Sequence, residues 1–349
     1  MYEFTDGKVK HLYDRDKKLR FIDIDWEMDP RGEENLIVSY HNFDETPDLE
    51  MILSQMKLRH PKARYYKIAT FANSTLDALK MLKFQRKHAN VIGICMGEKG
   101  TLTRIMSPFT YAPLTESDKN ASGQLLWSEL ETIYRYRSIT PDTRIYGLIG
   151  DPVSQSIGHL YHNDRFRQLK LDAVYVKMIV TPEELPQFFE AIEDLPFWGF
   201  SVTAPLKQKI TGYPANTLIR TEFGWQSCNT DGVAARDVLG EVAGKTIVIL
   251  GSGGAAKAIE SALSLQKAHV ILLRRGMEIT SYDILINATS SPNPDFLDRF
   301  IPGKLVMDVA IRTSPFLKRA ASCGCRTMDG LPMYFAQAIL QSKLWQRAV

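Results

Sequence analysis

Short apolar runs alternate with stretches of helical apolar spacing along the first part of the chain. The runs predict five strands, at residues 20–26, 36–40, 65–70, 91–96 and 109–112. The stretches at residues 48–59, 74–87 and 123–134 predict helices, the first of them starting at Asp48. Repeated β–α units indicate a parallel sheet, and charged residues at the strand ends indicate a barrel with its site at that rim.

A polar, proline-containing stretch at residues 138–144 links this part to a second α/β part. There the apolar runs at residues 145–149, 173–179, 200–203, 247–250 and 268–273 predict further strands. Thr181 as N-cap, Pro182 at the first helical position and Glu184 as its capping-box partner predict a helix that begins at this point.

A glycine-rich turn lies between a predicted strand and a predicted helix, in the stretch KTIVILGSGGAAKAI (245–259). Its G-x-G-x-x-A pattern favours dinucleotide binding over a plain glycine-rich turn, because the helix N-terminus supplies free N–H donors for a pyrophosphate. The predicted cofactor contacts in the turn are Gly251, Gly253, Gly254 and Ala255. Arg274 and Arg275 follow the next strand, where arginine suits the 2′-phosphate of NADP; a solvated basic pair is the alternative.

Composition narrows the class of protein. The 349 residues are 44% hydrophobic and 24% charged with a net charge of +3, which is typical of a globular protein of two or three domains. No basic stripe interleaved with aromatic residues, signal peptide or membrane-length apolar run is visible, so neither nucleic acid nor a membrane is an expected partner. The four cysteines lack metal-site spacing, so we expect free thiols in a cytoplasmic protein and no metal site.

Lys67 lies inside an apolar strand, where a lysine must find a partner or lose its charge. A neutral amine is a Schiff-base nucleophile, and His41, one strand away, is placed to move protons. The alternatives are a lysine that reaches solvent and a histidine with satisfied hydrogen bonds. A class I aldolase fits these residues equally well.

The sequences of four stretches resemble the second half of type I 3-dehydroquinate dehydratases. These stretches are SYHNFDETP (39–47), YKIAT (66–70), MGEKGTLTRI (96–105) and FTYAP followed by NASGQL (109–125). The resemblance implies that Lys67 forms an imine with the C3 ketone of 3-dehydroquinate and that His41 is the acid and base. It implies that Arg104 holds the substrate carboxylate and that Gln124 binds a hydroxyl or the carboxylate. The family has eight barrel strands, and the first three have no counterpart here. A fragment, a misplaced start and a degraded domain are the three explanations we consider.

Six stretches of the second part occur in the order found in shikimate dehydrogenases: GFSVTAPLK (199–207), ANTL (215–218), NTDG (229–232), GSGGAAKA (251–258), INATSSP (286–292) and DGLPMYFAQAILQSKLW (329–345). The resemblance implies that Lys207 and Asp231 are the catalytic pair, and that Asn287 and Thr289 line the nicotinamide side. It assigns the substrate carboxylate and hydroxyls to Ser156, Thr203, Asn216 and Gln337. Gly158 takes the place of a second family serine, and several loops are shorter than in the family.

Together the two resemblances identify a chain similar to bifunctional dehydroquinate dehydratase–shikimate dehydrogenases. We expect an incomplete (β/α) barrel over residues 1–138, a shikimate-binding α/β domain over 139–240 and a Rossmann-like NADP domain over 241–330. A C-terminal helix over 331–349 is expected to pack back on the substrate domain. The expected substrates are 3-dehydroquinate, 3-dehydroshikimate and shikimate. A shikimate dehydrogenase with a non-catalytic barrel remnant and a decayed ligand-binding protein are the alternatives.

Overall fold

The computed structural model describes residues 2–4, 9–13, 19–29, 35–113, 115–119, 121–210, 212–273, 277, 281–294, 300–311 and 314–347. Side chains are described from residue 20 onward within these ranges, residue 118 apart. The chain forms two compact units, Met1–Phe197 and Trp198–Val349. Each unit is described by itself.

The first unit begins with six strands and four helices. The strands are β1 (Tyr2–Phe4), β2 (Val9–Tyr13), β3 (Leu19–Asp25), β4 (Leu36–Asn42), β5 (Tyr65–Phe71) and β6 (Val91–Met96). The helices are α1 (Leu49–Arg59), α2 (Thr75–Lys87), α3 (Thr101–Met106) and α4 (Trp127–Thr132). As predicted, Asp48 caps α1, where its carboxylate accepts hydrogen bonds from the backbone N–H groups of Glu50 and Met51.

These strands form one sheet in the order β1-β2-β3-β4-β5-β6. The pairs from β3 to β6 are parallel, whereas β1 and β2 form an antiparallel hairpin that pairs with β3. The hairpin therefore supplies backbone partners along the β3 edge, which is the edge that a barrel without its first strands would leave open. Within the described ranges the sheet stays open, as an incomplete barrel does.

The sheet has two different faces because side chains alternate along each strand. On one face Ile24, Val38 and Ile68 join the apolar core under α1 and α2. On the other, Ile37 and Ile92 belong to a smaller apolar cluster that includes aromatic rings. Lys67, which is paired in register with Ser39 and Ile92, lies on this second face.

Three predicted elements differ from the structure. Residues 109–112 form no strand; Pro108 and Pro113 flank them, and proline lacks the N–H that a ladder needs. The helix predicted over 123–134 is the shorter α4, because Leu126 before it is extended and Arg135 after it is left-handed. The helix predicted from Thr181 begins at Leu185, although the Thr181 N–H does donate to the Glu184 carboxylate at 2.9 Å.

The first unit continues with β7 (Arg144–Gly150), α5 (Gly158–Gln168), β8 (Ala173–Ile179) and α6 (Leu185–Ala191), followed by β9 (Phe197–Val202), which crosses into the second unit. β7 and β8 pair in parallel. The segment also contacts α2: the Thr75 hydroxyl donates to the Ile179 carbonyl at 2.5 Å, and the Lys83 ammonium pairs with the Asp194 carboxylate at 2.5 Å. Within this unit the barrel-like part and the following α/β part share an interface.

The second unit contains a hairpin, a parallel sheet and four helices. Its elements after β9 are β10 (Thr217–Thr221), β11 (Gly224–Cys228), α7 (Asp231–Leu239), β12 (Thr246–Leu250), α8 (Gly254–Ser264), β13 (His269–Leu273), β14 (Ile284–Asn287), β15 (Leu305–Asp308), α9 (Pro315–Ser322), β16 (Arg326–Met328) and α10 (Leu331–Arg347). β9, β10 and β11 are antiparallel neighbours, and the β10–β11 hairpin is not predicted from the sequence.

The parallel sheet of the second unit has the order β13-β12-β14-β15-β16. Ile249 of β12 packs with Ala256 and Ile259 of α8 in a core that α7 and α10 also join. On the opposite face Val248 packs with Phe316 of α9. This is a Rossmann-like layering, which places the carboxyl end of β12 and the start of α8 together. None of the described helices combines the length and apolar character that a bilayer crossing requires.

Candidate active sites

The glycine-rich turn between β12 and α8 has the geometry of a phosphate-binding loop. Gly251 has φ +115°, and a Cβ there would lie 2.9 Å from the Ala288 carbonyl oxygen, so both the turn and the close approach require glycine. Gly253 precedes the first turn of α8 without a side-chain cap, and a Cβ on it would meet no atom within 4 Å. The first N–H groups of α8, including that of Ala255, thus start next to open space, which fits a bound pyrophosphate.

Lys207 and Asp231 form an ion pair although 24 residues separate them. Lys207 lies in a single 3-10 turn, Leu206–Gln208, which the fully buried Leu206 anchors. Its Nζ donates to Asp231 Oδ2 at 2.5 Å. The lysine side chain is 21% exposed and the aspartate side chain 9% exposed, so the carboxylate is the buried partner and the ammonium the accessible one.

Asn216 fixes the carboxylate from the other side. Its Nδ2 donates to Asp231 Oδ1 at 2.8 Å and to Thr230 Oγ1 at 2.9 Å, and its Oδ1 accepts the Thr230 N–H at 2.8 Å. The Asp231 N–H donates to Asn229 Oδ1 at 2.8 Å. Both carboxylate oxygens of Asp231 therefore have donors, and the ion pair has one orientation.

Sequence reasoning missed the layer behind Asn216. Gln341 of α10 is 1% exposed; its Nε2 donates to the Asn216 carbonyl at 3.0 Å and to Thr217 Oγ1 at 2.9 Å, and its Oε1 accepts from Ser201 at 3.0 Å. Gln341 lies four residues after Gln337, so the two side chains share one face of α10, and this spacing is the signal in the sequence that points to Gln341.

The nucleotide turn and the ion pair are neighbours. A Cβ on Gly254 would lie 3.1 Å from Lys207 Cβ and 3.4 Å from its Cδ, so the start of α8 packs directly on the lysine stem. A nicotinamide cofactor whose phosphates rest on this turn would therefore be bound in the neighbourhood of the Lys207 ammonium.

The other predicted residues of the second unit surround this centre to different degrees. Gln337 Oε1 is 3.5 Å from Asn216 Nδ2, and Thr203 lies at the end of β9, where its carbonyl accepts the Leu206 N–H at 3.0 Å. Asn287 is buried at the end of β14, and its Oδ1 accepts the Thr289 hydroxyl at 2.7 Å. Arg274, predicted to hold the 2′-phosphate, lies outside the described residues.

Ser156 belongs to the first unit. Its Oγ accepts the Gly158 N–H at 3.1 Å just where α5 begins. A Cβ on Gly158 would come within 3.2 Å of that oxygen and 3.1 Å of the Tyr175 hydroxyl. A serine at position 158 would therefore be crowded, which explains the glycine where the resemblance leads one to expect a second serine.

Lys67 has a carboxylate partner in the structure. Its Nζ donates to Asp23 Oδ2 at 2.8 Å, and the two residues are 3% and 2% exposed. The Tyr111 hydroxyl donates to the same oxygen at 2.7 Å, and Ser39 donates to Asp23 Oδ1. Burial raises the pKa of Asp23, but the Lys67 charge and the hydrogen bonds outweigh burial and leave this pKa below its ordinary value.

Asp23 is the residue of this site that sequence reasoning missed. The alternation in FIDID puts Asp23 and Asp25 on the face of β3 that Lys67 shares, and that alternation is the signal in the sequence. Asp23 and Asp25 precede Lys67 by 44 and 42 positions, and the alternation alone does not tell which of them contacts the lysine. The strand register puts Asp25 level with Ser39 and Lys67, and Asp23 level with Ile37 and Tyr65. The contact with Asp23 is therefore diagonal, and only the side-chain geometry identifies it.

The remaining predicted dehydratase residues lie on neighbouring elements. His41 follows Ser39 on the same face of β4, and its ring stacks on Phe43 at 6.1 Å between centroids. Arg104 of α3 is 3% exposed; one guanidinium nitrogen donates to the Ser122 carbonyl at 3.3 Å, and Nε has no partner among the described residues. Burial lowers the pKa of Arg104 to about 10. A buried guanidinium with unused donors suits a carboxylate ligand.

Gln124, the last predicted dehydratase residue, donates from Nε2 to the Tyr111 carbonyl at 3.4 Å.

Comparison with known proteins relates the chain to two protein families. The model of the type I 3-dehydroquinase family matches residues 10–141, and that of the shikimate dehydrogenase substrate-binding domain matches residues 148–218. The shikimate biosynthesis protein AroDE of Chlamydia pneumoniae is 36% identical over 357 residues, which span 89% of this chain and 73% of that protein. The chain belongs to the AroDE family.

Relatives of single activity cover the second part of this AroDE-family chain. The NADP(+) shikimate dehydrogenase of Pyrococcus abyssi is 35% identical over 58% of the chain and 92% of its own length. The crystal structure of shikimate dehydrogenase from Aquifex aeolicus superposes with a TM-score of 0.54 at 28% identity, covering 60% of this chain and 96% of that one. The AroDE-family chain is thus a dehydroquinase-like part followed by a shikimate dehydrogenase part.

Replacement of Gly253 by alanine tests the phosphate-binding assignment. The Cβ meets no protein atom, so we expect Gly253→Ala to unfold at the same temperature as the wild type. The methyl group occupies the space assigned to the pyrophosphate, so we expect the dissociation constant for NADPH, measured by fluorescence titration, to rise about tenfold or more. Ser264→Ala, an exposed change at the other end of α8, is the control. Unchanged NADPH binding in Gly253→Ala would contradict the assignment.

Proposed function

We propose that the chain carries out two consecutive steps of the shikimate pathway. The barrel-like part dehydrates 3-dehydroquinate to 3-dehydroshikimate through an imine on Lys67. The second part reduces 3-dehydroshikimate to shikimate with NADPH. The observation that carries the reductase is the Lys207–Asp231 pair at 2.5 Å, packed against the nucleotide turn. The buried Lys67 on the face of His41 supports the dehydratase, and Arg104 offers unused donors.

In the reductase, NADPH supplies the hydride that converts the ketone carbon to an alcohol carbon. The Lys207 ammonium donates a hydrogen bond to the ketone oxygen and gives that oxygen its proton as negative charge develops there. Asp231 fixes the position of the lysine ammonium, because Asn216 in turn holds the carboxylate in place. In the reverse direction the same lysine, once neutral, takes the hydroxyl proton from shikimate.

The remaining reductase residues have binding roles in this proposal. Gly251, Gly253, Gly254 and Ala255 would hold the pyrophosphate of NADPH through backbone N–H groups, and Arg274 would hold its 2′-phosphate. Asn287 and Thr289 would line the nicotinamide side. Thr203, Asn216 and Gln337 bind the carboxylate and hydroxyls of the substrate.

In the dehydratase, the Lys67 nitrogen gives up two protons as it attacks the C3 ketone of 3-dehydroquinate and forms the imine. These protons leave with the carbonyl oxygen as water, and His41 then removes the C2 proton. The imine accepts the resulting electron pair, and His41 returns a proton to the departing C1 hydroxyl. Arg104 pairs with the substrate carboxylate, and Gln124 binds a neighbouring polar group. The four cysteines are free thiols, which supports the further proposal of a cytoplasmic location.

Substitution of Lys207 separates chemistry from cofactor binding. We expect Lys207→Ala to lower kcat for NADP-dependent shikimate oxidation about 100- to 10,000-fold, because the proton donor is lost. The dissociation constant for NADPH is expected to stay within about threefold, because the phosphates bind backbone groups. Lys209→Ala, two residues on and exposed, is the matched control. A loss of NADPH binding with unaltered kcat would show that the role assigned to Lys207 is wrong.

Borohydride trapping tests the dehydratase. Incubation of the wild type with 3-dehydroquinate and borohydride is expected to add one reduced substrate to Lys67, seen by intact mass and peptide mapping. Lys67→Ala is expected to give no adduct, and Lys62→Ala, an exposed lysine nearby, is expected to give the wild-type yield. If the wild type gives no adduct at Lys67, the chain is a shikimate dehydrogenase with a non-catalytic barrel remnant.

A further inference from the structure

Among the described residues, the charged group that contacts the imine-forming nitrogen is the Asp23 carboxylate. It lies on β3, 44 residues before Lys67, and contacts Nζ at 2.8 Å with both side chains almost fully buried. Lys67 also lies over the Tyr111 ring, with Nζ 4.4 Å from the ring centroid. Water is therefore largely replaced around Nζ by one carboxylate and one aromatic face, which both favour a cation.

We propose that Asp23 is the counter-ion of the protonated imine on Lys67, held in place for that task by Tyr111 and Ser39. The inference rests on the proposed dehydratase activity and goes beyond it, since it assigns a task to residues that the lysine and histidine chemistry leaves unexplained.

Charge balance supports the assignment. Imine formation joins Nζ to the carbonyl carbon, and the ammonium with the ketone gives an iminium ion and one water. Three N–H bonds become one, two protons leave with the carbonyl oxygen, and the positive charge stays on nitrogen. A carboxylate that pairs with the Lys67 ammonium therefore pairs equally with the iminium ion, and no new charge has to be buried.

Asp23 is a counter-ion and not a base. Its donors, Lys67, Tyr111 and Ser39, stabilise the ionised carboxylate, which keeps the pKa of Asp23 below its ordinary value. Such a carboxylate is a weak base, so removal of the C2 proton is left to His41. When that proton leaves and the nitrogen becomes neutral, the hydrogen bonds from Tyr111 and Ser39 remain on Asp23.

The register of β2 and β3 pairs Lys10 with Asp23, so the position of a second cationic residue borders the carboxylate on this face of the sheet. Asp25 follows Asp23 on β3, His41 lies on β4, and Tyr65 precedes Lys67 on β5; β6 presents apolar side chains there. Tyr111 comes from the loop after α3. Asp25 and His41 lie nearer the carboxyl ends of their strands, so neither replaces the direct contact that Asp23 makes with Nζ.

The test measures how trapping depends on pH. Borohydride reduces the protonated imine, so the yield of the Lys67 adduct from 3-dehydroquinate reports its population. In the wild type we expect a level yield from about pH 6 to about pH 9, because Asp23 keeps the imine protonated. In Asp23→Asn we expect the yield to fall toward high pH, by about tenfold for each unit above the imine's lowered pKa.

Two further arms keep the test decisive. Tyr111→Phe retains Asp23 and removes one of its donors, so its decline is expected to be shallower and in the same direction; this variant decides the matter if circular dichroism shows that Asp23→Asn does not fold. Without substrate, the pH dependence of Lys67 reductive methylation by formaldehyde is expected to move to lower pH in Asp23→Asn. A merely structural Asp23 would shift neither pH profile.

The outcomes separate the two levels of the proposal. If the folded variants and the wild type trap substrate with the same pH profile, the counter-ion assignment is overturned and the dehydratase stands. If the wild type traps no substrate at any pH, the dehydratase itself fails and the counter-ion assignment fails with it.

Discussion

A lysine ammonium held by a single aspartate organises each candidate site of this chain. Lys207 contacts Asp231 at 2.5 Å and Lys67 contacts Asp23 at 2.8 Å. In both pairs the carboxylate has further donors, from Asn216 in one and from Tyr111 and Ser39 in the other. A buried carboxylate that is fully hydrogen-bonded fixes both the charge and the direction of its lysine.

The two pairs differ in exposure, and the difference matches the two reactions. The Lys207 side chain is 21% exposed, as a group must be that donates a proton to a substrate and regains one from solvent. Lys67 is 3% exposed, which suits a nitrogen that becomes covalently bound and must keep its charge away from water. Removal of one partner from a buried pair of this kind typically costs about 3–5 kcal/mol of stability, so the Lys67–Asp23 pair also bears on folding.

The amino-acid pattern predicts most of the fold and much of each site, and its failures have physical causes. The β–α alternation, the start of α1 at Asp48 and the glycine-rich turn are local features, and the structure contains them. Residues 109–112 have strand-like composition, but the flanking prolines remove ladder donors, and the tyrosine among them bonds to Asp23 instead. Asp23 and Gln341 act over long sequence distances through sheet register and helix packing, which composition and spacing do not encode. The β1–β2 hairpin that pairs with the β3 edge is formed by neighbouring strands of the sequence, and the apolar pattern does not predict it.

The most direct test of the central claim is a double-mutant cycle on Lys207 and Asp231, with kcat/KM for NADP-dependent shikimate oxidation as the readout. If the lysine acts only while the aspartate holds it charged and aimed, the Lys207→Ala, Asp231→Asn double variant is predicted to lie within about threefold of the slower single variant. If the two single losses instead multiply in the double variant, the residues act independently, and the account of the site as one paired unit is contradicted.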